Sequence, residues 1–237
     1  MPSLYHQLLE EILQGDIEPG TPLVESVVGE RFGVSRTPVR EALRMLEQDG
    51  MLERANRGLQ VRQTSPEEVL EIYSVRGLLE GAAAAGAAER HTDYDLATLE
   101  RLLDTMSRAE GASPQELATI NRSFHRAIWQ AARNRTLIDL LERLAVHLRR
   151  YPATTYETPG RWQTALDEHR ALYEAIRAGK AKLAASVAEQ HMGAARNARL
   201  DMIRGGGSPP LATLKSSIGE PLADVKRTRK AGSATGS

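Results

Sequence analysis

The sequence predicts a mainly α-helical protein in two folded parts, an N-terminal winged helix-turn-helix and a C-terminal all-α helical bundle. Three observations carry this. Aromatic residues are only 4% of the 237, whereas Ala and Leu abound, which favours helices over sheets. Three helical stretches and one short alternating stretch fill the first 65 or so residues. From Pro66 to about Arg204 the apolar pattern has the helical period alone.

Leu4, Leu8, Leu9, Ile12 and Leu13 recur at helical spacing, and Gly15 stops that helix before the turn Glu18-Pro19-Gly20-Thr21-Pro22-Leu23. A second helix is expected over Glu25–Phe32, ended by Gly33. Ser35 can cap a third that runs to about Asp49, with Pro38 at a position whose N–H has no intrahelical partner anyway. Two alternating runs around Asn56-Arg57-Gly58 read as a hairpin. The run Thr64-Ser65-Pro66-Glu67-Glu68 is a helix start: a Ser cap, Pro at the first position and acids in the first turn. Six helices are expected beyond it, over 66–91, 94–110, 114–133, 135–151, 160–178 and 180–203. The boundaries are therefore 1–65, 66–203 and a tail, 204–237. The tail opens on Gly205-Gly206-Gly207-Ser208-Pro209-Pro210 and is too poor in apolar periodicity to fold.

Composition excludes several classes. No cysteine is present, so disulfides, thiolate zinc sites and cysteine nucleophiles are out. No stretch approaches the ~18 apolar residues of a membrane span, and the start lacks a signal-peptide pattern. A cytoplasmic protein with no membrane partner is expected. Lys+Arg and Asp+Glu both total 31, so any DNA contact must come from local placement. Residues 1–66 hold seven Arg and ten acids, a balance that disfavours loose phosphate binding.

Local placement is where the signal lies. On a helix from Ser35, Val39, Leu43 and Leu46 share one face with Ala42 beside it, and Arg36, Arg40 and Arg44 follow on another at i, i+4, i+8. A recognition helix needs this division: one side held by the domain, the other free for the major groove, where arginine pairs bidentately with guanine. Thr37 offers a hydroxyl to phosphate or base. Arg57 at the hairpin tip is placed for the minor groove or backbone, and Gly58 permits close approach. The plain alternative is a solvated face balanced by Glu41 and Glu47.

The stretch from Ile12 to Val61 resembles the DNA-binding domain of the GntR family of bacterial transcription regulators. It does so above all in Gly33-Val34-Ser35-Arg36-Thr37-Pro38-Val39-Arg40-Glu41-Ala42-Leu43 and the wing Asn56-Arg57-Gly58. The resemblance implies that Arg36 and Arg40 read operator bases with support from Thr37, and that the Arg57-Gly58 tip enters the groove. Ser26 stands where some relatives carry a further DNA-contacting arginine.

Asn121 and His125 are four apart on one helix and so project from one face. His169 and His191 each follow apolar periodicity on later helices. One oxygen and three imidazoles from three helices can hold a divalent ion, with a position left open. Taken singly, each histidine is an ordinary core or surface residue, and His6, His91 and His147 stay in that class; His147 is a weak candidate for the same cavity. Arg76 lies in the apolar run Val75–Ala88, where a buried cation needs an anionic partner. Glu80, at i+4, is the plain candidate; a carboxylate ligand is the other. Glu168 and Glu189 precede His169 and His191, but adjacent helix positions face different sides, so no general base is expected at the ligands.

Residues 66–203 resemble the FCD effector domain of the FadR-type branch of that family. The carrying stretches are Val75–Ala88, Asn121–Asn134, Asp167–Gly179 and Gln190-His191-Met192. Many such domains hold a metal through Asp-x-x-x-His and two later histidines. His125, His169 and His191 match, and Asn121 replaces the usual Asp. The resemblance implies a divalent transition metal, Zn or Ni, and a small organic acid whose carboxylate fills the open positions. The expectation is a ligand-responsive repressor, not an enzyme, acting as a homodimer on double-stranded operator DNA. A metal-dependent enzyme with a DNA-binding head, and a metal-free regulator with structural histidines, are the alternatives.

Overall fold

The computed structural model describes residues 3–56, 58–63, 65–109, 111–151 and 154–205. The chain opens with α1 (Leu4–Gln14), whose first turn is capped by the Ser3 hydroxyl accepting the His6 N–H at 3.4 Å. Then come α2 (Glu25–Phe32) and α3 (Arg36–Gln48). Ser35 takes the N-cap position of α3, yet its hydroxyl caps nothing. The start is set instead by the turn before it, where Gly33 is left-handed at φ 65° and the Val34 N–H donates to Gly29 O. Strands β1 (Leu52–Ala55) and β2 (Gly58–Val61) pair antiparallel from Leu52↔Val61 to Ala55↔Gly58. The segment after α1 joins their far side, with Pro22 bridging Gln60 and the Leu23 N–H donating to Leu59 O at 2.8 Å. Leu8, Val39, Leu46 and Met51, all at 0% exposure, fill the core of this head.

Helices α4 (Pro66–Arg90), α5 (Asp93–Ser107), α6 (Pro114–Ala131), α7 (Arg135–Arg149), α8 (Arg161–Arg177) and α9 (Ala181–Arg204) form the second part. Their starts are explicit in the sequence. The Ser65 hydroxyl accepts Glu68 N–H ahead of Pro66, Thr92/Asp95 and Ser113/Glu116 form capping boxes, and Asn134 Oδ1 accepts Leu137 N–H. Boundaries differ from the expected ones by up to three residues, and the break before α8 contains a 3-10 turn, Thr155–Glu157. Of the expected tail, all but Arg204 and Gly205 lies outside the described residues.

Helix α4 lies along α9 on a seam of small side chains, with Ala84 and Ala184 fully buried. A Cβ at Gly77 would meet Met192 Cβ at an ordinary 3.6 Å, whereas one at Gly81 would stand 2.7 Å from Glu189 Oε1 and would have to displace that side chain. Phe124, Ile128, Leu172 and Ile176 complete the core around it.

The end of α7 grips the head. Val146 packs on the head's core. The two Nη atoms of Arg149 donate to the two carboxylate oxygens of Glu10 at 3.0 and 2.7 Å. Arg150 donates to the carbonyls of Arg62 and Gln63 at 3.3 Å, and the Tyr151 hydroxyl donates to Ser65 O at 3.2 Å. His147, a candidate for the bundle cavity by sequence, turns to this junction instead. A Cβ on Gly50, already left-handed at φ 67°, would come within 3.1 Å of its Cε1.

Gly50→Ala therefore meets two penalties, and Gly15→Ala, at φ 84° with nothing within 4 Å, meets one. The backbone penalty is about 1–2 kcal/mol. Urea unfolding should show Gly50→Ala losing more stability than Gly15→Ala, with the excess relieved by adding His147→Ala. Equal losses would contradict the junction.

Candidate metal centre and DNA-facing helix

Helix α3 buries Val39, Ala42, Leu43 and Leu46 and exposes Arg36, Thr37, Arg40 and Arg44. Its outer face and the wing line a groove of about 760 Å³ that includes Arg36, Arg40, Arg44, Arg54 and Gly58. Gly58 has φ 110°, a conformation that a side chain would strain. Arg57 lies outside the described residues. Among the described residues, four of the ten acids that weigh against DNA binding are paired with arginines. Glu25 takes the Arg40 Nε–H at 2.8 and 3.0 Å, Glu47 takes Arg54 at 2.7 Å, Glu11 takes Arg31 at 2.8 Å, and Glu10 takes Arg149. The groove is lined by four arginines, Arg36, Arg40, Arg44 and Arg54, against two acids, Glu25 and Glu47, so it keeps a local positive excess that the net charge of residues 1–66 does not show. Arg40 enters it already oriented by Glu25, a residue the sequence does not single out.

In the bundle, α6, α8 and α9 bring His125, His169 and His191 together at 1%, 0% and 2% exposure. Their Nε2 atoms form a near-equilateral triangle: 3.4 Å from His125 to His169, and 3.2 Å from His191 to each of the others. The opposite ring nitrogens explain what this triangle is. His125 Nδ1 stands 3.2 Å from Glu80 Oε2, and His191 Nδ1 2.5 Å from Glu168 Oε2. Carboxylates accept only, so both Nδ1 atoms carry the proton and both Nε2 lone pairs point inward. Two lone pairs then face each other across 3.2 Å, and a single Nε2–H on His169 can satisfy only one of them. A cation at the centre satisfies all three.

Asn121 lies one turn before His125 on α6, and its Oδ1 is a buried acceptor with no partner. Arg76, 6% exposed, is held by Glu80 through Nε at 2.9 Å; its Nη2 sits 2.8 Å from the same oxygen without hydrogen-bond alignment. The plain partner considered for Arg76 is therefore present, and Glu80 serves a second master: Trp129 Nε1–H donates to its other oxygen at 2.8 Å. Glu168 does not point away, as its place beside His169 suggests. Helix α9 packs on that flank of α8, so Glu168 meets His191 and takes Arg161 Nη1–H at 3.0 Å. Arg161, 8% exposed and with an unpartnered Nε, escapes the sequence reading altogether. A signal existed: Arg161, Ala165 and His169 run i, i+4, i+8 on the buried stripe of α8.

Charge states follow from this packing. Burial alone would raise the Glu80 carboxyl, but the charges of His125 and Arg76 and the hydrogen bonds from His125 and Trp129 hold it well below the usual range. Burial opposes ionisation of Glu168 too, and His191 and Arg161 again win. Burial lowers His169 well below 6.5, aided by the charges of His191, His125 and Arg161. It lowers His191 to about 4, against the pull of Glu168. Burial thus favours the neutral form of His169 and His191, the form in which an imidazole ligates.

With this geometry on hand, the relatives fall into place. Residues 2–58 match the model of bacterial regulatory proteins, gntR family, and residues 71–194 match that of the FCD domain. The chain belongs to the gntR family and carries an FCD domain. It is 32% identical over 191 residues to the HTH-type transcriptional regulator YdhC of Bacillus subtilis (strain 168), covering 79% of this chain and 84% of YdhC. It is 30% identical over 175 residues to the HTH-type transcriptional repressor RspR of Escherichia coli (strain K12), covering 73% of this chain and 77% of RspR. Among solved structures, E. coli McbR/YncC superposes with a TM-score of 0.69 at 26% identity, covering 86% of this chain and 100% of that one. These families and relatives are transcriptional regulators, not enzymes. Among the described residues no helix is long and apolar enough to cross a membrane.

A histidine held neutral in the fold binds a proton once unfolded. Its contribution is complete above the unfolded pKa near 6.5 and is lost as pH falls toward the folded value, about 4 for His191. Each such proton steepens the loss by about 1.4 kcal/mol per pH unit. Chelator-treated protein should therefore lose stability steadily from pH 6.5 to 4 in denaturant titrations. A level profile across that window would contradict the burial of neutral His169 and His191.

Proposed function

We propose that this gntR-family regulator is a ligand-responsive repressor in which residues 1–65 bind operator DNA and residues 66–203 sense a small organic acid at a divalent metal. The observation that carries the reading is the inward convergence of three Nε2 lone pairs, two of them locked there by Glu80 and Glu168. A tetrahedral ion with Zn–N bonds of 2.0–2.1 Å needs ligand nitrogens about 3.3 Å apart. The observed 3.2–3.4 Å fits it, and Ni suits the same imidazoles. His125, His169 and His191 would hold the ion, with Asn121 Oδ1 as a further donor and the coordination expanding beyond four when a ligand binds. The ion would supply a Lewis-acidic position for a carboxylate, and Arg76 would stand beside it.

On DNA, Arg36 and Arg40 are assigned to base edges, Thr37 and Arg44 to the backbone or adjacent bases, and the Arg57-Gly58 tip to the groove beside them. A homodimer would set two such helices one turn of DNA apart. Val75 and Leu78 support self-association, since they leave an apolar strip of α4 at 49% and 68% exposure. Helix α4 also supplies the route between sites. Glu68, near its start, meets Arg62 at 3.1 Å at the head, and Arg76 and Glu80 reach the triad two to three turns later. An acid that binds one setting of α4 better than another changes DNA affinity by the same coupling free energy. The output, repression, is taken from the likeness to the repressor RspR; release from DNA requires that the acid favour the setting of α4 that fits DNA less well. The metal-dependent enzyme is disfavoured because both carboxylates at the triad face the outer nitrogens of the imidazoles. The metal-free reading is disfavoured because it leaves opposed lone pairs buried.

The test is to select a DNA site from a random library and to compare variants on it. Arg36→Ala and Arg40→Ala should each weaken binding to that site about 10-fold or more, the scale of one bidentate base contact. His169→Ala should keep DNA binding and lose stoichiometric zinc. Unchanged affinity in both arginine variants, or zinc retained by His169→Ala, would overturn the assignment.

A further inference from the structure

The charges around the triad specify what the site needs from its ligand. Arg76 is cancelled by Glu80 and Arg161 by Glu168, at 2.8 and 3.0 Å. An imidazole that ligates a metal is neutral, and the Asn121 amide is neutral. No donor brings a negative charge that is not already spent on a guanidinium. A divalent ion held here would therefore keep both charges uncompensated, among side chains of which Arg76, Glu80, Arg161 and the three histidines are more than nine-tenths buried. Uncompensated charge is costly in such surroundings.

Unused hydrogen-bonding capacity lies on the same side. Arg161 Nε has no partner, and Arg76 Nη2 has no aligned one. The charge of Arg161 is felt at His169 and His191, and those of Arg76 and Arg161 meet at Tyr156, in the segment between α7 and α8. Two guanidinium groups, each already paired with a carboxylate, thus keep an unfilled N–H next to the triad.

Resting on the metal-site reading above, we propose that the effector is a small dicarboxylate dianion: one carboxylate for the metal, the second for Arg161 and Arg76. A monocarboxylate would leave one positive charge buried and the two donors unfilled. Asn121 sets this preference. An aspartate there would supply one of the two missing charges from the protein itself.

The experiment uses the full chain loaded with zinc, and titrates malonate, succinate and malate against monomethyl succinate, propionate and lactate by calorimetry and thermal shift. The best dicarboxylate should bind at least about tenfold more tightly than any monoanion, the worth of one retained charge contact. In Asn121→Asp, zinc should bind at least as tightly and that ratio should fall toward one. Equal binding of the two classes, no binding by any of them, or an unchanged ratio in Asn121→Asp with zinc bound would overturn the dianion. The wild-type comparison alone decides the matter if the variant misfolds. A wild-type chain that takes up no zinc would fail the underlying metal reading instead, so the two failures are told apart.

Discussion

The bundle is organised around two carboxylates set behind two imidazoles. Glu80 fixes His125 and Glu168 fixes His191 so that their free nitrogens point inward, and everything else at the centre answers to that. Each acid is buried or half-buried, and each needs a cation to remain ionised there. Arg76 and Arg161 are those cations. Trp129 spends its indole N–H on Glu80, which also explains how a tryptophan can be 1% exposed at this point. Partners behind ligating histidines set ring orientation and basicity. Here they also set the charge of the whole cluster.

The same constraint reaches the head. Arg76 and Glu80 sit on α4, so the helix that supports the triad is the one that leaves the DNA-binding part at Ser65. The seam of small residues with α9 packs α4 closely along that helix. At its other end the contacts of Arg149, Arg150 and Tyr151 fasten the head to α7. A shift of α4 by a fraction of a turn would be felt in both places, which is the physical content of coupling between two sites.

Much of this was legible in the sequence for local reasons. Caps at Ser65, Ser113 and Asn134 mark helix starts because they act on their own first turn. The α3 division into Val39-Leu43-Leu46 and the arginines is a matter of spacing within one helix. The histidines could be grouped because each interrupts an apolar stripe. What escaped depends on contacts between helices. Glu168 looked outward because neighbouring positions on α8 diverge, and only the approach of α9 on that flank gives it His191. Arg161 lay outside attention at a helix start after Gly160, though its place on the His169 stripe was readable. His147 shares a helix with residues of the bundle core, yet the head reaches it first. The Ser35 cap failed because the Gly33 turn already fixes the entry to α3.

The central claim is that the three Nε2 atoms hold a divalent ion. X-ray absorption at the zinc edge, on protein loaded with one equivalent of zinc, tests it most directly. The account predicts three imidazole nitrogens at 2.0–2.1 Å with one or two oxygens beside them, and loss of one imidazole in His169→Ala. A first shell without imidazole scattering, or a spectrum unmoved by His169→Ala, would contradict it.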